Sequence, residues 1–379
     1  MSWPLVNLST VCQIDMGSAP KGSTYVELDS GVPLIAGAAD YGDVFPRPKK
    51  ATIEPTKLCK KGDIIICVRA TIGDLNWADK EYCLGRGVAG LRANDEELDS
   101  KYLWYFISSI EDELYRNSTG STFPQINKKV IESLKIPLPP LETQKQIATV
   151  LEKADQLRKD CQQMEHELNS LAQSVFIDMF GDVRSNSLNS EKVRFDDIFE
   201  INSKLVDPKL PEFENLPHIG PEHLEKRTGR ILPHRTAKED GLVSGKFNFQ
   251  QGCVLFSKIR PNLKKVALPE FSGLCSADMY PLEAVDGVST SEFIWGLILS
   301  HAFDDYLTTL PSRANIPKIN RKELAAFEFY LPDVSEQKAY SQKLAKIQGQ
   351  LKQNAYLYQE AESNFNALMQ KAFKGELNL

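Results

Sequence analysis

The chain has 379 residues, 42% of them hydrophobic and 25% charged, with a formal net charge of −6; this length suggests two or three ordinary globular domains. No run of about 18 apolar residues occurs, and the opening MSWPLVNLST has neither the basic nor the apolar region of a secretory signal, so a cytoplasmic chain without a membrane partner is expected. The negative balance excludes a uniformly basic nucleic-acid binder, and seven scattered cysteines with no CxxC pair exclude a disulfide framework and a zinc knuckle.

From Trp3 the chain is punctuated at Gly17, Pro20 and Gly22 and passes a turn-rich, basic stretch ending at Lys49 and Lys50. The clearest strand is Asp63 to Val68, launched by Lys61-Gly62 and closed by Arg69 to Gly73. A Gly-broken strand from Cys83 to Arg92 follows, then a helix from about Ser100 to Tyr115 with Tyr102, Leu103, Phe106, Ile107, Ile110 and Leu114 on one face. A polar loop, Ser118 to Thr122, precedes a proline stop at Pro139 and Pro140. Beyond the stop, with Glu142 in the opening turn, apolar residues recur at Ile147, Val150, Ala154, Leu157, Cys161, Met164, Leu168, Leu171 and Val175. Alternating steps of three and four are a heptad seam on one long helix.

The same plan then recurs. Gly252 to Phe256 matches Gly62 to Ile66 at a shift of 190, and Ser257 to Lys265 replaces the loop after that strand. Gly273 to Leu282 is a second apolar run, and Ser291 to Leu307 is the equivalent helix. At a shift of 193, Pro124 falls on Pro317, Ile126 on Ile319, Asn127 on Asn320, Pro139 on Pro332 and Gln144 on Gln337. The second helix carries its own seam at Leu344, Ile347, Leu351, Asn354, Tyr358, Ala361, Phe365, Leu368 and Ala372, with Asn354 a candidate register-setting polar residue. Each stripe would otherwise face water, so the two helices, roughly 57 Å long, are expected to pack on each other antiparallel. The fold class expected is α+β: two tandem domains of mixed β-sheet plus helices, residues 1–138 and 183–332. Two long helices, 139–182 and 333–379, separate them as an antiparallel coiled coil with pseudo-twofold symmetry.

Charge is distributed unevenly along this plan. Between Lys226 and Lys265 ten Lys and Arg meet only Glu239 and Asp240, a balance of +8, and Arg47 to Lys61 carries +5; Glu142 to Asp182 carries −4. Phosphates respond to local charge, so the basic loops of the domains are the candidate DNA-binding surfaces. The candidates in the first domain are Lys49, Lys50, Arg69, Thr71, Arg86, Ser121 and Thr122. Those in the second are Lys226, Arg227, Arg230, Arg235, Lys258, Arg260, Asn262, Lys264, Lys265 and Arg313. One frame with two sets of loops is the pattern of a bipartite reader. Catalytic patterns fail: Pro332-Asp333 with Glu336 and Lys338 reads as helix capping, His218, His223 and His234 lack ligand spacing, and neither GxxxxGK[ST] nor GxGxxG after a strand occurs. No catalytic residue, metal or cofactor is expected in this chain.

Several of these stretches carry a family likeness: W-x-x-V-x-L from Trp3 to Leu8, Gly62 to Ile65, Gly120-Ser121-Thr122 followed by Ile126-Asn127-Lys128, and I-P-L-P-P-L-E-x-Q-x-x-I from Ile136 to Ile147. Phe180-Gly181 and Phe373 to Leu377 close the two helices. In these the chain resembles the specificity subunit of a type I restriction-modification enzyme. The resemblance implies two target-recognition domains, each reading half of an asymmetric, interrupted double-stranded DNA site. It further implies two modification (methyltransferase) subunits that supply S-adenosylmethionine and methylate adenine, and restriction subunits that join through them and use ATP. Asp333-Val334-Ser335 departs from the pattern, having lost the second proline and the leading acid. The alternative reading is a coiled-coil assembly scaffold without base-specific reading.

Overall fold

A computed structural model describes residues 3–120, 124–185, 190–201, 204–311 and 317–377. The chain divides into two compact units, Met1–Asp160 with Leu357–Leu379 and Cys161–Tyr356. Each unit therefore combines one sheet-rich domain with the first part of the helix that leaves it and the last part of the other long helix.

In the first unit Ile64–Cys67 is buried on both faces, which is why its sequence is continuously apolar rather than alternating. It pairs antiparallel with Val88–Ala93 and Leu75–Trp77, and Cys12–Met16 completes a four-stranded sheet. A second, five-stranded sheet contains one parallel pair, Val32–Ile35 with Tyr82–Leu84. The apolar run from Cys83 to Arg92 is thus two strands in two sheets rather than one. Gly85 and Gly87 make the transition, each so close to the backbone of Ile35 and Ala36 that a Cβ would collide. The predicted helix after it is also two, Ser100–Ser109 and Glu111–Arg116, because Ile110 leaves the helical region at φ −115°, ψ 19°.

The second unit repeats the four-stranded sheet and varies the other. Val254–Ser257 pairs with Met279–Ala284 and Val266–Ala267 in an antiparallel four-stranded sheet completed by Phe199–Ile201. A second sheet again holds one parallel pair, His218–Ile219 with Gly273–Cys275. Its helical segment splits into Ser291–Leu299 and His301–Thr309, where the Ser300 hydroxyl accepts from the Phe303 amide and caps the second piece.

The two long helices are Leu141–Phe180 and Val334–Lys374, of 40 and 41 residues, each about 60 Å long. Within the second unit they run antiparallel: Asn354 Nδ2 donates to the Cys161 carbonyl at 2.8 Å, and Phe176 packs on Tyr340 with ring centroids 5.5 Å apart. Within the first unit Arg158 pairs with Glu362 at 3.2 Å and lies over the Phe365 ring at 4.6 Å. The second helix turns its predicted seam inward, with Leu344, Ile347 and Phe365 buried and Leu351, Tyr358 and Leu368 half-buried.

The first helix corrects its predicted seam. Ile147 and Leu168 are buried and Val150 is half-buried, but Leu157, Met164 and Leu171 are 61%, 47% and 45% exposed. The buried stripe runs instead through Ile147, Leu151, Asp155, Leu168, Ala172, Phe176 and Phe180. At its middle the inward position belongs to a carboxylate, Asp155, which pairs with Arg158 and Lys159 at 2.7 Å each. A buried charge satisfied in this way leaves no mark in an apolar periodicity. Among the described residues no helix is long and apolar enough to cross a membrane.

Candidate nucleic-acid interface

The loop after each central strand is built on one frame in both units. In the first, the Ile126 amide donates to the Val68 carbonyl at 3.0 Å and the Ala70 amide to Pro124 at 3.1 Å. In the second, Ile319 donates to Lys258 at 3.0 Å and Arg260 to Pro317 at 2.7 Å. Left-handed backbone recurs at matching places: Ala70 (φ 60°) and Gly73 (φ 99°) in one loop, Arg260 (φ 49°) and Lys264 (φ 46°) in the other.

The side chains on this frame sort the candidates of the second domain. Lys264 is fully buried, its Nζ donating to Asp304 at 2.5 Å, the Ser300 carbonyl at 2.6 Å and the Leu299 carbonyl at 2.9 Å. It is an internal brace and not a DNA contact, which corrects the sequence reading. Burial pulls its ammonium below the ordinary value, with Asp304 opposing. Lys258 lies over the Tyr280 and Phe247 rings at 4.8 and 5.5 Å and donates to the Ala277 carbonyl; burial likewise lowers it. Lys265 Nζ donates to the Pro221 carbonyl at 2.6 Å. These lysines are committed inward, so the +8 of the segment overstates what a ligand meets.

Two arginines are exposed but engaged. Arg227 pairs with Asp304 at 3.1 Å and donates to the Asn262 carbonyl at 3.3 Å, while Arg230 pairs with Glu165 of the first long helix at 2.8 Å. Burial alone would raise the Asp304 carboxyl, but hydrogen bonds from Arg227 and Lys264 hold it below its ordinary value. Lys226, Arg235, Arg260 and Asn262 remain exposed, and their side chains make no hydrogen bond or ion pair among the described residues. In the first domain Lys49, Lys50, Arg69 and Arg86 are exposed without an ion pair among the described residues, and Thr71 is exposed beside the Cys67 thiol. Ser121, Thr122 and Arg313 lie outside the described residues.

Other predicted features find structural places. His218 Nδ1 is 3.0 Å from Asp240, its ring edge-on to His223, and among the described residues no three His, Cys, Asp or Glu are placed to hold a metal. Burial lifts the Cys12 and Cys59 thiols to about 12, far above the range of a reactive thiolate.

Sequence reasoning missed two things. Gln125 and Lys318 are exposed beside the loop tips, each bridging its loop through the backbone; they are the one differing residue between the repeated Pro and Ile, and that was the available signal. Gln144 and Gln337 are identities in the repeat to which the sequence alone assigns no role. Both are fully buried at the start of a long helix. Gln144 accepts from the Asp99 amide at 2.9 Å and donates to the Glu97 and Pro139 carbonyls at 2.8 and 2.9 Å. Gln337 accepts from the Thr290 amide and Ser289 hydroxyl at 3.1 Å and donates to the Val288 and Pro332 carbonyls at 3.1 and 2.9 Å.

The sequence model of the type I restriction modification DNA specificity domain matches residues 2–169 and again 188–362. The chain belongs to this family. Among relatives, the putative type I restriction enzyme MjaX specificity subunit of Methanocaldococcus jannaschii is 40% identical over 169 residues, 43% of this chain and 40% of that protein. The type I restriction enzyme EcoDI specificity subunit of Escherichia coli is 28% identical over 319 residues, 74% of this chain and 70% of that protein. The fold matches the crystal structure of a type I restriction-modification system S subunit from M. genitalium, with TM-score 0.60 and 15% identity, over 98% of this chain and 96% of that one. It also matches a chain from a structure on complex assembly and conformational transition of the type I R-M system, with TM-score 0.58 and 17% identity, over 99% of this chain and 98% of that one. The specificity-domain family thus supplies the function class, DNA specificity in type I restriction-modification, and the two matched stretches are the two copies of the repeat.

Proposed function

We propose that this chain is the non-catalytic, sequence-reading subunit of a type I restriction-modification complex. Each domain reads one half of an asymmetric, interrupted double-stranded site. Two modification subunits carry S-adenosylmethionine to an adenine in each half, and ATP-dependent restriction subunits join through them. The observation that carries this reading is the repeated loop frame with unlike exposed residues: Arg69, Ala70 and Thr71 on one copy, Arg260 and Asn262 on the other. A shared frame brings two tips to a duplex in the same way, and unlike tips read different bases. The uninterrupted long helices set the number of base pairs left unread between the halves.

The test is a map of modified adenines in the source genome. Deleting the gene removes one interrupted motif from the map; a map unchanged by deletion refutes the proposal. Four residues inserted after Glu152, with four added to the second helix at the facing position, lengthen the unread gap and leave both half-sites intact.

A further inference from the structure

We infer that Arg260 is the guanine-reading residue of the second domain, presented to the major groove on a left-handed tip that the neighbouring lysines hold rigid; this rests on the function proposed above. Three independent features converge on it.

The first is the backbone. A side-chain-bearing residue at φ 49° is rare, because Cβ crowds the following carbonyl, and it persists only where surrounding bonds impose it. Here the Arg260 amide is tied to Pro317, and the residue's counterpart in the first domain, Ala70 (φ 60°), is tied to Pro124. Glycine would serve this backbone position better, yet the second copy places there the longest cation available. The loop frame imposes this backbone in both copies, and in the second copy the exposed residue it fixes in place is an arginine.

The second is pre-organisation. Two residues on, the Asn262 carbonyl accepts from Arg227, and at the end of the tip the buried Lys264 ammonium binds Asp304 and two carbonyls at the junction of the two helical segments. In the first copy the corresponding left-handed position is Gly73, which carries no side chain, and that loop is tied to its helical segment by the Tyr115 hydroxyl, which donates to the Ala70 carbonyl at 3.1 Å. Lys264 is a positioning residue: it contributes its charge to the protein interior, not to the duplex.

The third is elimination by geometry. Of the five candidates on this loop, Lys258, Lys264 and Lys265 turn their ammonium groups onto protein carbonyls, and only Arg260 and Asn262 are exposed with side chains unengaged among the described residues. An unengaged guanidinium on a rigid tip matches the O6 and N7 acceptors of guanine with two parallel donors, and an amide two residues away matches adenine.

The experiment replaces the chromosomal gene by Arg260→Gly and by Arg260→Lys and repeats the adenine map, with thermal melting of the purified full chains alongside. Glycine accepts the left-handed backbone, so melting is unchanged or higher. The expected map keeps one half-site intact and loses a single guanine preference in the other, discrimination there falling roughly 5- to 100-fold. Arg260→Lys keeps the positive charge without the planar fork and gives the same relaxation. Arg260→Gln replaces the glycine variant if that chain fails to accumulate. An unchanged motif overturns the inference, as does equal blurring of both halves. A uniform loss of modification at every site, with the motif still sharp, makes Arg260 a phosphate contact and also overturns it. In each of those cases deletion of the whole gene still removes the motif, so failure of this inference is distinguishable from failure of the proposed function.

Discussion

At the start of each long helix a buried glutamine binds the same kinds of groups in both copies, whereas at the tip of each strand loop the copies share only their backbone. Gln144 and Gln337 tie the helix start to the chain entering the helical segment behind the sheet, through backbone amides and carbonyls and, for Gln337, the Ser289 hydroxyl. The tips hold Ala70 and Gly73 in one copy where the other holds Arg260 and Lys264. Duplication has kept the helix joint and altered the loop tips that we propose meet the DNA. Joint and loop tip are therefore separable in this molecule.

The strongest way to break that parallel is at the joints. Gln337→Leu leaves two amide or hydroxyl donors and two carbonyls without partners in the interior and is expected to cost about 3 kcal/mol. Gln144→Leu should cost nearly as much, within about 1 kcal/mol, because it loses one bond fewer. Denaturant midpoints measure both, and a difference above about 2 kcal/mol means the joints are not equivalent. At the tips the copies should diverge. Lys264→Met strands two carbonyls and should cost about 2 kcal/mol, whereas Gly73→Ala adds backbone strain and a contact that the flexible Glu111 side chain can yield to, and should cost about 1 kcal/mol; equal losses would argue that both tips are braced alike.

The smallest effect is a pH dependence confined to the second copy. Asp304 has its carboxyl held below the ordinary 3.8 by Arg227 and Lys264 despite burial. Its contribution to stability is present above that value and is lost as pH falls through the lower folded value. Asp304→Asn should flatten the acid limb of a stability profile below pH ~4, and a variant profile parallel to the wild type would show that the brace does not depend on the carboxylate.

The architecture was legible because a repeat and two heptad-like patterns are long signals. The phase of the first helix was not. An α-helix drifts about 20° per heptad from a strict seven-residue repeat, and the inward place at its centre belongs to Asp155, which an apolar count skips. The loop candidates were named by residue type, and type cannot separate Lys264 from Arg260. What separates them is the Leu299 and Ser300 carbonyls, and backbone groups carry no letter in the sequence. The glutamines had the opposite fate: their repetition was visible, but two of their four carbonyl partners, Glu97 and Val288, lie on backbone 47 and 49 positions away, so the pattern alone gave them no task.

Asn354 and the residue it touches, Cys161, hold the same place in the two copies, 193 positions apart. Within the second unit the antiparallel helices thus bring a position against its own counterpart, and this contact fixes the register of the pairings beside it there. Adding a turn to one helix alone would displace that contact and slip the pairings on one side of it by the same amount. A change of length here therefore needs matching edits in both copies, which binds the two long helices to a shared length even while the loop tips diverge.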